Sequence, residues 1–237
     1  MFLAFYMLRR VHESDRWVNA VNASPRSNPL RRILCAEYRR RTILNAALVT
    51  ISIIGLWAAV VYEPGAIATL ARRMKLSAAE ATRLASFGTG LLSLGTCLGC
   101  LALPVMAERL GRRWTQAVYF LGMAVCISLS FGWAFYLPNG LSVFIGSLFF
   151  LGLFGGNFAM YNLWLPEQYP TAIRATAFAF VTSVGRYIGA GVNFLIGTGV
   201  HAYGSVGMPV ATTALAFLVG VSLLPLCLET RGERLPA

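Results

Sequence analysis

The chain has 237 residues, of which 57% are hydrophobic and only 12% charged, and its net charge is +11. A soluble domain carries roughly 25% charged residues, so the composition excludes an ordinary soluble protein and places the chain in the membrane class. The arginines gather between apolar runs, where basic residues orient membrane proteins, and this argues against nucleic acid as the partner of the positive charge.

Residues 1–7, MFLAFYM, stop at Arg9-Arg10. At ~1.5 Å per residue such a stub reaches about 10 Å and cannot cross a core of about 30 Å. It also lacks the basic flank that precedes the apolar region of a signal peptide. It reads as the tail of a truncated preceding span. Residues 8–41 form a polar, arginine-rich loop, with nine arginines against Glu13, Asp15 and Glu37. Pro25, Ser27, Asn28 and Pro29 break any long helix there. Six apolar runs follow, at 42–62, 84–106, 114–136, 141–165, 174–199 and 207–228. Each exceeds the ~20 residues that a crossing helix needs. They do not alternate as barrel strands would, and an open strand edge is excluded in lipid. The expectation is an all-α membrane protein: a six-helix transmembrane bundle over 42–228, then a tail over 229–237.

With both ends inside, the inner segments hold fifteen arginines and the outer segments four basic residues, Arg72, Arg73, Lys75 and Arg83. That asymmetry gives cytoplasmic ends, in a multi-pass protein of the plasma (cell inner) membrane. The basic first outer loop runs against the rule. Gly95/Gly99, Gly152/Gly156 and Gly185/Gly189 have the spacing that lets helix backbones approach closely in lipid. The five cysteines are an odd count set mostly in apolar runs, which argues against a disulfide framework. Cys97-x-x-Cys100 lies in LLSLGTCLGCLALP, far from any charge that would activate a thiolate. It reads as small packing residues.

Polar groups inside spans are costly and are by default functional candidates. Arg186 stands about twelve residues into its run, with Asn193 two turns along the same face. Asn157 and Tyr161 share a face at i, i+4, with Asn162 and Trp164 beside them, and Trp57 lies in the first full run. For Asn157 and Asn193, interhelical hydrogen bonds are the equal alternative to solute contact. For Arg186 the alternative is a structural ion pair. Glu63 lies at the outer boundary of the first run. It is either a proton-coupling carboxyl, since a carboxyl removed from water holds its proton more readily, or a helix-end charge. His201 reads as solvated in an outer turn. No metal cluster, cofactor-binding loop or nucleophile with a base stands out, so neither an enzyme nor a cofactor is expected.

Four loop patterns carry a family resemblance. Glu167-x-Tyr169-Pro170-x-x-x-Arg174 resembles the loop between the tenth and eleventh spans of sugar-porter-like transporters of the major facilitator superfamily. Glu13-Ser14-Asp15-Arg16-Trp17 is similar to the E-S-P-R-W after their sixth span, with Asp15 in place of proline. Glu108-Arg109-Leu110-Gly111-Arg112-Arg113 resembles the superfamily's G-x-x-x-D-R-x-G-R-R turn, with Glu108 for Asp and Pro104 for the leading Gly. Leu228-Glu229-Thr230-Arg231-Gly232 resembles the P-E-T-K-G after the last span, with Arg231 for Lys.

These matches keep the family's order and spacing but describe only its second half. The resemblance implies half of a twelve-span secondary transporter, working by alternating access on a small polar solute, a sugar, organic acid or related metabolite, and coupled to protons. Its partners would be the lipid bilayer, the small-molecule substrate, and a missing amino-terminal half or a second copy. The paired glutamine of sugar porters is absent from the first span. The resemblance further implies a cytoplasmic gating network of Glu108, Arg112, Arg113, Glu167, Arg174 and Glu229, in which Glu167 and Arg174 meet Arg112 or Arg113 and Glu229 joins them. Solvated loop charge is the alternative. It also puts the first and fourth spans around a central cavity with the fifth beside it, where Arg186 would hold a carboxylate or pair with an acidic residue. The rival to transport is an inactive truncation or a non-transporting assembly partner.

Overall fold

The computed structural model describes residues 28–233 and 236. The stub over 1–7 and the Glu13–Trp17 motif lie outside the described residues. A short helix, α1 (Pro29–Ile33), has Pro29 in its first turn and the Asn28 side chain accepting from the Leu30 N–H. Such a cap satisfies one of the donors that every helix start leaves open. The first span is α2 (Ala36–Arg73) and the second α3 (Ala78–Leu110). The third is α4 (Arg112–Ile127), continued through a π-helical turn (Ser128–Trp133) and a 3-10 turn (Ala134–Tyr136). The fourth is α5 (Leu141–Gly155), a 3-10 turn (Gly156–Ala159) and α6 (Met160–Gln168). The fifth is α7 (Thr171–Tyr203), and the sixth is α8 (Gly207–Ala211), α9 (Ala214–Leu223) and a last 3-10 turn to Leu226. All six are long and apolar enough to cross a membrane. The protein is an all-α, multi-pass membrane bundle.

The helices outrun the apolar stretches that announce them. The first begins at Ala36, so Arg39, Arg40 and Arg41, expected in the loop, form its opening turns. It runs on to Arg73, ten residues past Glu63. Glu63 is therefore not at a helix end: it is buried within α2. His201 likewise belongs to the last turn of α7, where it is exposed. The reason is common to all three. A helix that spans lipid keeps its hydrogen-bonded ladder into the headgroup region, where polar side chains are tolerated.

Turn chemistry sets the ends. Ser77 and Glu80 form a reciprocal capping box at the start of α3, with Ser77 N–H donating to Glu80 at 2.8 Å. Gly111, at φ 90°, makes the break between α3 and α4 in a region that side chains disfavour. Tyr169 is extended before Pro170, and α7 starts immediately after.

The basic residues between the first two spans have a structural use. Arg72 and Arg73 close the last turn of α2, where cations suit the helix dipole. Arg73 also donates to the Phe135 carbonyl at 2.9 Å and lies 4.9 Å from that ring's centroid. It ties the ends of the first and third spans together.

Packing follows the small residues. A Cβ on Gly95 would sit 2.0 Å from the Phe149 carbonyl oxygen, and one on Gly99 1.9 Å from that of Leu153. On the facing helix, Gly152 is as close to Leu92. The second and fourth spans thus touch backbone to backbone. Gly185 and Gly189 let α7 settle onto Val49 and Ile53 of α2. Helix α2 is central and packs against α3, α5, α7 and α9.

Two kinds of face are left open. The third span exposes Trp114, Val118, Leu121, Val125, Leu129 and Trp133 in one apolar stripe. Helix α3 exposes Thr82, Ser86, Thr89 and Ser93 beside Phe87, Leu94, Leu98 and Leu101, and α7 exposes Ser183 and Arg186 beside Tyr187, Phe194 and Leu195. In each of α3 and α7 only 28% of the most apolar stretch is buried, against 56% in α2. The first face suits lipid. The second mixes apolar side chains with Arg186, a charge that lipid does not suit.

Candidate functional site

The arginine-rich end of the bundle carries a connected charge cluster. Arg112, the first residue of α4, is 5% exposed. Its guanidinium grips Glu167 with two bonds, Nε to Oε2 at 3.0 Å and Nη2 to Oε1 at 2.7 Å. Nη2 also donates to Glu108 Oε1 at 2.9 Å, and Nη1 to the Ala107 carbonyl at 3.1 Å. Glu167 lies in the last turn of α6, and Thr230 donates to it from the segment after the sixth span. One planar cation thus joins the second, third and fourth spans and the tail. Arginine's rigid fork fits a carboxylate in this two-bonded manner, which lysine cannot reproduce.

Glu229 enters differently from the expected ion pairing. Its oxygens accept from the main-chain N–H of Arg112 at 2.8 Å and of Arg113 at 3.0 Å. It is a carboxylate cap on the N-terminus of α4, where the helix dipole favours negative charge. Arg113 is turned away from Glu167 and donates to the carbonyls of Leu224 and Pro225. The cause is helical geometry: one residue further along α4 is about 100° further round it. Arg174 donates to the carbonyl oxygens of Tyr169 at 3.2 Å and Pro236 at 3.1 Å. The structure therefore gathers Glu108, Arg112 and Glu167 into one ionic group, with Glu229 beside it, and sets Arg113 and Arg174 against main-chain oxygens.

Beneath this cluster lies a second polar layer. Asn45 donates to Gln168 at 3.0 Å, and Thr42 and Tyr169 share a hydrogen bond at 3.1 Å. Thr42 also donates to the Ile33 carbonyl at 2.9 Å, which fixes α1 to the bundle. Tyr169 belongs to the motif noted in the sequence, but its partners Thr42 and Asn45 do not. They come from distant stretches and carry no pattern of their own.

The solute-site candidates separate into two groups. Tyr161 is buried, accepts from Gln116 at 3.1 Å and shares a 2.7 Å hydrogen bond with Ser52. Asn157 is also buried and donates to the Phe154 carbonyl at 2.9 Å. Both lie inside the six-helix bundle. Three buried atoms on this layer have no hydrogen-bond partner: Asn157 Oδ1, Gln116 Oε1 and Thr115 Oγ1. Gln116 and Ser52 belong to none of the sequence motifs; a glutamine inside an apolar run is the one signal that points to this pair. The second group, Arg186, Asn162 and Trp57, is exposed. Arg186 lies fifteen residues into the 33-residue α7, near mid-depth, about 100° round the helix from Gly185, which packs on α2. Asn193 is half-buried, and neither polar atom of its side chain has a partner. Its carbonyl accepts from Tyr62 at 3.1 Å. It borders an open groove of about 550 Å³ with Tyr62, Phe194, Thr198 and His201.

Glu63 is 1% exposed and faces α3, where Thr89 donates to it at 3.1 Å. A Cβ on Gly88 would stand 2.9 Å from its Oε1 and close to Ile67 and Leu148. A carboxyl in the apolar interior, held by one hydroxyl, is expensive to keep charged. Among the described residues no group of three or more His, Cys, Asp or Glu comes together to hold a metal.

No protein-family model matches the chain. Two curated relatives are named as transporters. One, named as the niacin/nicotinamide transporter NiaP of Bacillus subtilis (strain 168), is 28% identical over 135 residues, 56% of this chain and 32% of its own length. The other, named as a 4-methylmuconolactone transporter of Cupriavidus pinatubonensis (strain JMP 134 / LMG 1197), is 27% identical over 97% of this chain and 51% of its own length. The chain thus spans about half the length, or less, of the curated relatives it matches.

Proposed function

We propose that the protein is one six-span half of a secondary transporter of the major facilitator type, which moves a small organic solute across the membrane by alternating access and is coupled to protons. The observation that carries this reading is Arg186, exposed at mid-depth on α7. An arginine at the bilayer centre costs at least about 2.5–3.5 kcal/mol against lipid. Its face must therefore meet another protein surface or a water-filled cavity. Helix α3 is as thinly buried as α7 and leaves a second open flank. A second six-span bundle against α3 and α7, with a solute cavity between the two, covers both. The names and the coverage of the two relatives support the reading, since nearly all of this chain aligns with about half of one transporter. The partner bundle is an amino-terminal half or a second copy.

In this arrangement Arg186 holds the anionic or polar group of the solute, with Trp57 and Asn193 on neighbouring surfaces. The Glu108–Arg112–Glu167 group acts as a latch at the cytoplasmic end, closing it in one conformation and releasing it in the other. Glu63 takes up and releases the coupled proton. The solute class is small organic acids and related metabolites rather than hexoses.

The test is uptake of labelled nicotinate, muconolactone-type acids and sugars by the native assembly, whose mass is read from its own membranes with an antibody to the carboxy-terminal tail. Uptake of an organic acid that falls at least ten-fold in Arg186→Ala and recovers in part in Arg186→Lys supports the reading. Unchanged uptake in Arg186→Ala at equal expression removes Arg186 from the site. Absence of uptake of every solute by an assembly confirmed as folded removes the transport reading.

A further inference from the structure

The groove between the start of the third span and the end of the sixth has no part in the transport reading. It encloses about 580 Å³ at the arginine-rich end. Its inner wall is apolar, with Ala117, Val221 and Leu224, and its rim carries Arg113, Arg231 and Trp114. Arg113 is fixed in place by the Leu224 and Pro225 carbonyls, while the Arg231 side chain is exposed. Glu229 also borders the groove, but its oxygens are turned to the main-chain N–H groups of Arg112, Arg113 and Arg231. The rim therefore keeps a positive character.

The depth of the groove is set by two tryptophans. Trp114 and Trp133 are both exposed on one stripe of the third span, and the stripe between them is apolar. Nineteen residues at ~1.5 Å each separate them by roughly 28 Å, close to the ~30 Å hydrocarbon thickness. Tryptophans gather at the two membrane–water interfaces. Trp114 thus marks one headgroup layer, and the groove opens at that level onto a face made for acyl chains.

We propose that this groove is a binding site for an anionic phospholipid, with the headgroup phosphate against Arg231 and Arg113 and an acyl chain along Ala117 and Val221. Charge complementarity selects an anionic lipid, and the apolar wall selects a lipid over a free anion.

The full chain is reconstituted in vesicles, and the emission of Trp114 is taken as the difference between wild type and Trp114→Phe. Quenching by brominated phosphatidylglycerol is compared with quenching by brominated phosphatidylcholine at equal mole fraction. Two arginines at headgroup level give an expected preference of about thirty-fold for the anionic lipid. In Arg231→Gln, checked for folding by circular dichroism, it falls to about five-fold. Equal quenching by the two lipids in the wild type overturns the proposal, as does a preference that is undiminished in Arg231→Gln. Loss of the preference on adding soluble glycerol phosphate means a free-anion site and also overturns it. A Trp114 signal quenched by neither lipid shows that this face does not meet the bilayer, with the same result.

Discussion

The Arg112 cluster holds two carboxylates on one guanidinium, and they differ sharply in setting. The Glu167 side chain is 16% exposed and makes two bonds; the Glu108 side chain is 65% exposed and makes one. Glu108→Gln removes an exposed i, i+4 pair and should cost less than about 1 kcal/mol. Glu167→Gln leaves a buried guanidinium without its main counter-charge. Breaking a buried pair costs roughly 3–5 kcal/mol, and the remaining Glu108 charge lowers this to about 2 kcal/mol. The double variant leaves Arg112 with the Ala107 carbonyl and two neutral amides. Its cost should exceed the sum of the single costs by about 1 kcal/mol, because each carboxylate covers for the loss of the other. The assay is reversible unfolding of the purified chain in mixed detergent–denaturant micelles, read by helical circular dichroism. The reasoning fails if Glu108→Gln costs as much as Glu167→Gln, or if the two costs simply add.

Gly111→Ala should destabilise by about 1–3 kcal/mol in the same assay, since φ 90° strains any side chain and the new Cβ would stand 2.9 Å from Glu229 Oε2. Gly99→Ala should separate the second and fourth spans, because its Cβ would lie 1.9 Å from a backbone oxygen. Gly146→Ala, with nothing within 4 Å, should be neutral or gain up to about 1 kcal/mol; equal thermal stability of the two variants would refute the close helix contact. Glu63→Gln should keep the fold, since an amide can still accept from Thr89, while uptake by the assembly loses its dependence on an imposed pH gradient. Uptake in Glu63→Gln that still follows the gradient would remove Glu63 from proton coupling. Arg73→Gln should lower stability by about 1–2 kcal/mol by freeing the Phe135 carbonyl and ring; a change under about 0.3 kcal/mol would show that the contact contributes nothing.

By itself the sequence determined the class of the protein and its element order. Apolar runs longer than a bilayer crossing leave helices as the one solution that satisfies every backbone group, so six spans were legible without any contact being known. The paired glycines also announced where helices meet, because only residues without a side chain permit backbone contact. The ends of the helices were not legible: polar residues such as Arg39 or Arg72 read as loop, although the backbone ladder continues through them. That misplaced Glu63 at a boundary, when it lies ten residues inside α2. Pairing belonged to the tertiary structure. Glu167 was visible as a motif residue, but that it binds Arg112, while Arg113 caps the sixth span, follows from a single 100° step on α4 that no linear pattern displays. The same holds for Ser52, Gln116 and Tyr161, which stand far apart in the chain and meet in the bundle. Short-range chemistry fixes what each segment becomes. Which side chains face each other depends on helix rotation, and packing alone decides that.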